Sequence, residues 1–358
     1  MTVKSEGKAI QIRTDELTIH SERIGRDFLV EVAIPDQIQP GRQYAAVYAV
    51  DGGLGVAGPA SRLLVAGTRT VPFFVVSIGY PNAMGRHLGQ RNTDLVHRAS
   101  KRGKRTIGGG GAAFEAFIRQ DLRPYLERRY PLDPERAVLF GHSGGGLFTA
   151  SVLVTDPNAF YGYVIGGLPL LWKEQEDVFL IEHAKAIAPR AGGQRVFIGF
   201  APTDALNTNA DRFAAHLSGP GSRFKVRQEL FEDETHNSEY LQLIARGLPF
   251  VLPTETAEMT AIAVKPSLLD RYVGTYRLDA QRVLEVSRRD GELYGRVNTL
   301  ADDYLDIGSL ALLEAASETR FFSRSADLLL TFEPPRNGKS PSVTTRTYAQ
   351  ETRAIREE

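Results

Sequence analysis

Apolar and polar positions divide the chain into two regimes. Up to about residue 250, short apolar runs alternate with longer segments of helical period. Strands are predicted at Ala9–Ile19 and Phe28–Ile34, and the alternation Leu29-Val30-Glu31-Val32 marks them as an antiparallel pair at a sheet edge. Buried-strand runs follow at Tyr44–Val50, Val71–Ile78, Ala137–Phe140, Tyr161–Ile165, Val196–Phe200 and Phe224–Phe231. Helical patterns lie at Ala112–Arg129, Leu147–Val154, Asp177–Ala188, Asp211–Leu217 and Ser238–Arg246. Strands alternating with helices predict an α/β architecture with a mainly parallel, doubly wound sheet.

Near residue 252 the pattern changes. Pro253-Thr254-Glu255-Thr256 and Lys265-Pro266-Ser267 punctuate the chain, and strand signals dominate beyond them. Leu284–Arg288, Asp290-Gly291 and Leu293–Val297 read as a hairpin. Leu328–Phe332 and Val343–Tyr348, joined through Pro334-Pro335-Arg336-Asn337-Gly338, read as another. The expected organisation is a catalytic domain over 1–252, a linker over 253–265 and a small antiparallel β domain over 266–358.

Composition narrows the function classes. With 358 residues, the chain can bury two cores. Equal numbers of basic and acidic residues, 43 each, give no global field toward nucleic acid or an anionic membrane. The absence of cysteine excludes disulfides, a thiol nucleophile and thiolate-ligated zinc. No run approaches the ~20 apolar residues of a membrane span. Residues 1–6 lack the apolar core of a signal peptide, which points to the cytoplasm by default, or to the periplasm or exterior if a leader has been removed.

The sharpest chemical signal is Gly141-His142-Ser143-Gly144-Gly145-Gly146, between the apolar run Ala137–Phe140 and the helical pattern from Leu147. Gly-x-Ser-x-Gly at a strand–turn–helix junction is a nucleophile elbow, whose tight turn leaves no room for flanking side chains. It presents Ser143 as nucleophile, with the Gly144 amide at a helix N-terminus as an oxyanion donor. A serine hydroxyl needs a base. Elbow hydrolases place Ser, acid and His in that order along the chain, with His after the last strand. Among the seven histidines, His236 fits. The acid belongs after Val196–Phe200, where Asp204 is favoured over Asp211 to hold the imidazole in the correct tautomer. A second oxyanion amide is assigned to Gly53 or Leu54, in the glycine-rich loop after Tyr44–Val50. That loop also matches a dinucleotide fingerprint over Gly53–Gly58, but no acidic residue lies between Asp51 and Asp94 to bind a ribose.

These residues resemble the esterase D and enterobactin-esterase-like branch of the α/β-hydrolases, over roughly residues 10–250. The resemblance rests on Tyr48-Ala49-Val50-Asp51-Gly52, Ile78-Gly79-Tyr80-Pro81, Arg91-Asn92-Thr93-Asp94-Leu95, Gly110–Tyr125, the elbow, Leu168–Trp172 and His236. Leu168 and Leu170 stand where the family has serines, and Ala201-Pro202-Thr203-Asp204 departs from its usual acid loop. Tyr272–Leu278 resembles the opening of a β-barrel-like module appended to bacterial hydrolases. The resemblance implies hydrolysis of siderophore, feruloyl, acetyl or short acyl esters, a small-molecule substrate, and no metal or organic cofactor. Acyl transfer to another acceptor, a non-catalytic binding role and peptidase activity are the alternatives, and homo-oligomerisation is left open.

Two features bear on substrate. Residues 86–105 carry seven Arg or Lys against Asp94 alone, a basic stretch able to attract anionic esters or to serve simply as a solvated loop. Within it Arg91 is a candidate substrate contact, or else a partner of Asp94 that braces the loop. Trp172, the only tryptophan, is a candidate pocket wall.

Overall fold

The structure, a computed structural model, describes residues 13–35, 38–52, 70–81, 88–102, 105–168, 174–202, 208–299, 310–347 and 351–357. It forms two compact units, Met1–Ala66 with Pro72–Leu252, and Gly67–Val71 with Pro253–Glu358.

In the first unit the strands are β1 (Thr14–Ser21), β2 (Arg26–Ala33), β3 (Tyr44–Gly52), β4 (Phe73–Gly79), a short ribbon of β5 (Ser100–Arg102) and β6 (Arg105–Ile107), then β7 (Leu132–His142), β8 (Gly162–Gly166), β9 (Arg195–Phe200) and β10 (Lys225–Leu230). Eight of them make one sheet in the order β1-β2-β4-β3-β7-β8-β9-β10. β1 pairs antiparallel with β2, and β2 antiparallel with β4; every pairing from β4 to β10 is parallel. The chain runs from β3 outward to β4, then returns to place β7 on β3's other flank. This reversal leaves a crevice at the carboxyl ends of β3 and β7, where open α/β sheets bind ligands.

Parallel strands are covered on both faces and read as continuous apolar runs. β4 and β8 are buried at every position. The helices that matter for the site are α1 (Leu88–Asp94), α2 (Gly111–Ala116), α3 (Arg123–Arg129), α4 (Gly144–Thr155), α5 (Glu174–Ile187), α6 (Thr208–Leu217) and α7 (Glu239–Gln242). A π-helical segment, Phe117–Leu122, joins α2 to α3. α4 is buried from Gly145 to Val154 and apolar nearly all round, as a helix enclosed by protein must be. Its hydroxyls bond back one turn, Thr149 to the Gly145 carbonyl and Ser151 to that of Leu147.

The glycines Gly108 to Gly111, which lead into and open α2, are packed tightly. A Cβ on Gly108 would lie 2.6 Å from the Arg98 carbonyl oxygen, and one on Gly111 2.6 Å from His97 Nδ1. The Gly109 and Gly110 amides donate to the carbonyls of Val96 and Thr93.

The second unit is a closed eight-stranded barrel: β11 (Gly274–Arg277), β12 (Arg282–Arg289), β13 (Glu292–Thr299), β14 (Ala311–Ala315), β15 (Arg320–Ser323), β16 (Leu328–Phe332), β17 (Ser342–Arg346) and β18 (Glu351–Arg356). Successive strands pair antiparallel, and β11 pairs with β18 to close the ring, which removes free sheet edges. Side chains fill the interior. Tyr272 stacks on Phe332 at 4.4 Å and meets Phe321 edge-on at 5.3 Å. The buried phenols find carbonyl acceptors, Tyr272 at Glu318 and Tyr276 at Tyr272. Among the described residues, no helix is long and apolar enough to cross a membrane.

Candidate active site

β7 ends in the crevice and turns at once into α4. The turn residue is Ser143, at φ 57° and ψ −121°. An L-residue is strained there, because these angles belong to the first central position of a type II′ turn, which glycine dominates. Packing enforces the turn. A Cβ on Gly141 would sit 2.0 Å from the Gly145 carbonyl oxygen, and one on Gly146 2.3 Å from that of Gly166. The Ser143 amide donates to the Gly166 carbonyl at 2.9 Å, which anchors the elbow to the end of β8. Gly144 opens a 12-residue helix, so its N–H belongs to the first turn, whose donors have no intrahelical acceptor.

His236 follows β10 through Phe231–Thr235. A reciprocal clasp shapes the loop: the Thr235 amide donates to Ser238 Oγ at 2.8 Å, and the Ser238 amide to Thr235 Oγ1 at 3.3 Å. The Glu239 amide then donates to the Thr235 carbonyl at 3.0 Å, starting α7. His236 is partly exposed, with Nδ1 3.7 Å from Oε1 of the fully buried Glu239. The same oxygen accepts from His142 Nε2 at 2.8 Å. The two imidazoles lie 4.6 Å apart at their centroids, and Tyr240 packs edge-on against His142. Burial pushes the Tyr240 phenol up to about 12, with the charge of Asp51 adding to the effect. Gly167, at φ 50°, floors this cluster. A Cβ there would lie 2.3 Å from Glu239 Oε1, 2.8 Å from His236 Cε1 and 3.0 Å from His142 Nε2. The adjacent Gly166 carries the carbonyl that holds Ser143, so the Gly166-Gly167 pair adjoins both the elbow and the His236 ring. Donor atoms of His142, His236 and Glu239 all lie within 4.8 Å of one another, close enough to share a proton network or a small cation.

The other predicted positions fall as follows. Asp204, Gly53, Leu54 and Trp172 lie outside the described residues. Asp211 sits on α6, where its carboxylate accepts from Gln228 Nε2 at 2.6 Å on an exposed face. Arg91, on α1, does not brace Asp94. It clasps Asp51 at the end of β3, with Nε 2.7 Å from both carboxylate oxygens, because Asp51 (φ 66°) leaves the strand beside the elbow. The Arg91 guanidinium stands against Gly144, whose Cβ would come within 3.0 Å of Nη2. Asp94 instead pairs with Arg26 and accepts from the Tyr80 hydroxyl. Burial holds the Asp94 carboxyl above its usual range, against the pull of Arg26. Of the basic stretch, Arg98 stacks over Phe179 at 3.9 Å, and Lys101, Arg102 and Arg105 lie on the β5–β6 ribbon.

Sequence reasoning passed over His142, read only as the variable elbow residue, and Glu239. One local signal pointed to the second: His236 and Glu239 are three apart at a helix start, a spacing that puts side chains on one face.

A strained serine on this sheet, at the topological switch and at a helix N-terminus, is the arrangement of an α/β-hydrolase acting on acyl groups, and the chain is an ester hydrolase. The family model described as "Putative esterase" matches residues 21–219, and the chain belongs to that family. It is 28% identical over 265 residues to the ferri-bacillibactin esterase BesA of Bacillus subtilis, across 67% of this chain and 89% of that protein. It is 28% identical over 183 residues to the siderophore triacetylfusarinine C esterase of Aspergillus fumigatus, across 48% of this chain and 60% of the relative. The BES protein from Bacillus cereus shares the fold with a TM-score of 0.62 at 22% identity, over 69% of this chain and 99% of that structure.

Proposed function

We propose that the chain cleaves carboxylic esters of siderophore type through an acyl-enzyme on Ser143, with His236 as general base. The observation that carries this reading is the strained Ser143 turn at the start of a buried helix, tied through Gly166-Gly167 to the His236 ring. The step balances simply. Ser143 Oγ bonds to the ester carbonyl carbon as its proton passes to His236 Nε2. The carbonyl oxygen becomes an oxyanion facing the Gly144 amide, with Gly53 or Leu54 as second donor. Collapse breaks the bond to the leaving alcohol, which takes the proton from His236. Water then repeats the sequence and releases the acid.

Esterase relatives whose named substrates are siderophores support the substrate class. The basic stretch around Lys101, Arg102, Lys104 and Arg105 suits an anionic, iron-chelating ester. Neutralising those four is expected to raise KM for anionic esters and leave neutral ones unchanged.

The test compares wild type with Ser143→Ala on a catecholate trilactone and on p-nitrophenyl esters from acetate to decanoate. A fluorophosphonate is added, and the labelled peptide is identified by mass spectrometry. Ser143 should carry the label and the variant should lose all turnover. A folded wild type that neither reacts with the probe nor cleaves any ester would overturn the proposal.

A further inference from the structure

We infer that Arg91 and Asp51 form a positioning pair that clamps together the two segments to which the oxyanion donors are assigned, the end of β3 and the start of α4. The inference rests on the serine-esterase reading above and names a part of its machinery.

Four observations carry it. First, Asp51 stands in a bulge at the end of β3. The pairing of β3 with β4 shifts register between Val50 and Gly52, and Asp51 takes φ 66° there. A bulge re-aims a side chain, and a non-glycine residue at positive φ is a local cost that the surroundings must hold. Second, the re-aimed carboxylate meets Arg91 of α1 as a fork. Arg91 Nε lies 2.7 Å from both carboxylate oxygens and Nη2 2.5 Å from Oδ2. Third, the same guanidinium lies over Gly144, the first residue of α4. A Cβ on Gly144 would sit 3.0 Å from Nη2, 3.2 Å from Nη1 and 3.3 Å from Cζ. The elbow motif leaves this position open and its backbone is helical, so the turn does not demand glycine there; the guanidinium does. Fourth, β3 and α4 also touch directly. A Cβ on Gly145 would meet Val50 Cγ2 at 3.2 Å and Asp51 Cβ at 3.6 Å, so the clamp closes a contact with little slack.

This placement bears on the oxyanion. Gly144 gives one donor amide, and Gly53 and Leu54, the assigned second donors, follow Asp51 closely in the chain. Arg91 therefore touches one donor residue and grips the segment that leads to the other. Such donors work only when fixed about 3 Å from where the charge develops, and a misplacement of about 1 Å can cost a hundredfold. The guanidinium also adds positive charge at the N-terminus of α4. It offsets a carboxylate whose field reaches the Tyr240 phenol and would oppose an oxyanion. Arg91 acts on the reaction through these residues, so its role is positional.

The experiment measures kcat and KM on neutral p-nitrophenyl acetate and on the anionic p-nitrophenyl half-ester of succinic acid, together with fluorophosphonate labelling. The proteins are wild type, Arg91→Gln, Arg91→Lys, Asp51→Asn and the double variant Arg91→Gln/Asp51→Asn. In Arg91→Gln, kcat should fall at least about tenfold on both esters, with KM within about twofold of wild type, as expected for stabilisation made in the transition state. Arg91→Lys, which restores the charge without the fork, should recover part of that loss. The double variant should be no slower than Arg91→Gln, because the two residues act as one unit. Wild-type kcat in Arg91→Gln would overturn the inference. So would a rise in KM confined to the anionic ester, which makes Arg91 a substrate contact, or a double variant whose loss is the product of the two single losses. Should Arg91→Gln fail to fold, Asp51→Asn decides: its kcat should fall about threefold or more, and a wild-type value overturns the inference. A wild type that fails to label sinks the serine-esterase reading itself; a wild type that labels beside an unaffected Arg91→Gln sinks this inference alone.

Discussion

Left-handed backbone occurs in both units of the molecule, and its chemistry differs between them. In the barrel it sits mainly at hairpin turns. Asp290 and Gly291 take φ 50° and 88° between β12 and β13, and Asn337 and Gly338 take 52° and 82° between the bridged pair Arg336 and Lys339. These are Asp-Gly and Asn-Gly in primed turns, the residues that such turns favour. A Cβ on Gly291 or Gly338 would meet nothing within 4 Å. At the elbow the residue with positive φ is a serine in a glycine conformation, and Gly141 and Gly146 on either side of it are walled in by backbone. The barrel spends its special residues on closing turns cheaply. The sheet unit places a costly turn where a hydroxyl must stand proud of the crevice, and close packing around it carries the strain.

Replacing Ser143 with glycine separates the two costs and should give the largest effect. Turnover should fall by about 10⁴ or more, since the nucleophile is gone. Folding stability should rise by about 1 kcal/mol, because glycine adopts φ 57° without a Cβ penalty. Ester hydrolysis and a thermal melt on the same sample read both. A Ser143→Gly protein that melts at or below the wild-type temperature would mean that the elbow stores no strain.

Two alanine substitutions then set the units side by side. Gly141→Ala drives a methyl to 2.0 Å from the Gly145 carbonyl oxygen, so it should cost more than about 4 kcal/mol and abolish labelling by a fluorophosphonate. Gly291→Ala has open space and only its positive φ to satisfy, so its cost should be about 1–2 kcal/mol, with esterase activity untouched. Denaturant unfolding of both variants measures the difference. Equal losses at the two sites would erase the distinction between a walled turn and an open one.

The same contrast explains what could be read before the fold was known. The elbow was legible because its requirement is local: small residues flank one serine between an apolar run and a helix. The barrel hairpins were legible for the same reason, through Asp290-Gly291 and Asn337-Gly338. Barrel closure was not, because it pairs Tyr276 with Arg356 across 80 positions that share no pattern. β7 starts at Leu132, five residues before its apolar run, since Asp133, Pro134, Glu135 and Arg136 disguise a part of the strand that is less buried than its core. His236 was found by chain order. Its neighbour Glu239 was not singled out, because nothing in the local sequence marks it as buried. The burial that gives Glu239 its significance is a tertiary fact, made by Gly167 and His142 from two other strands' ends. Arg91 and Asp94 are three apart on one helix, a spacing that suggests a pair. They part because Asp51 and Arg26 offer each a better partner.

The smallest expected effect concerns two glutamates, one in each unit, that both hold their carboxyls below the usual range. Burial alone would push Glu115 up. Hydrogen bonds from His97 and Arg119 outweigh it, so the net direction is down. Glu285 lies near the barrel surface, lowered first by Arg296 and then by Asn298. For each, the folded state binds the proton more weakly than the unfolded chain does. The stability contributed is therefore complete above the ordinary glutamate range and is lost as pH falls through the depressed folded value. Salt should discriminate between them. The Glu285–Arg296 pair is screened by ions, whereas Glu115, buried on α2 against His97, is screened little. In acid unfolding followed by circular dichroism, Glu115→Gln should flatten the acid limb at both low and high salt, and Glu285→Gln only at low salt. An acid limb that responds to salt equally in the two variants would place Glu115 in contact with solvent and remove it from the enclosed network behind the catalytic sheet.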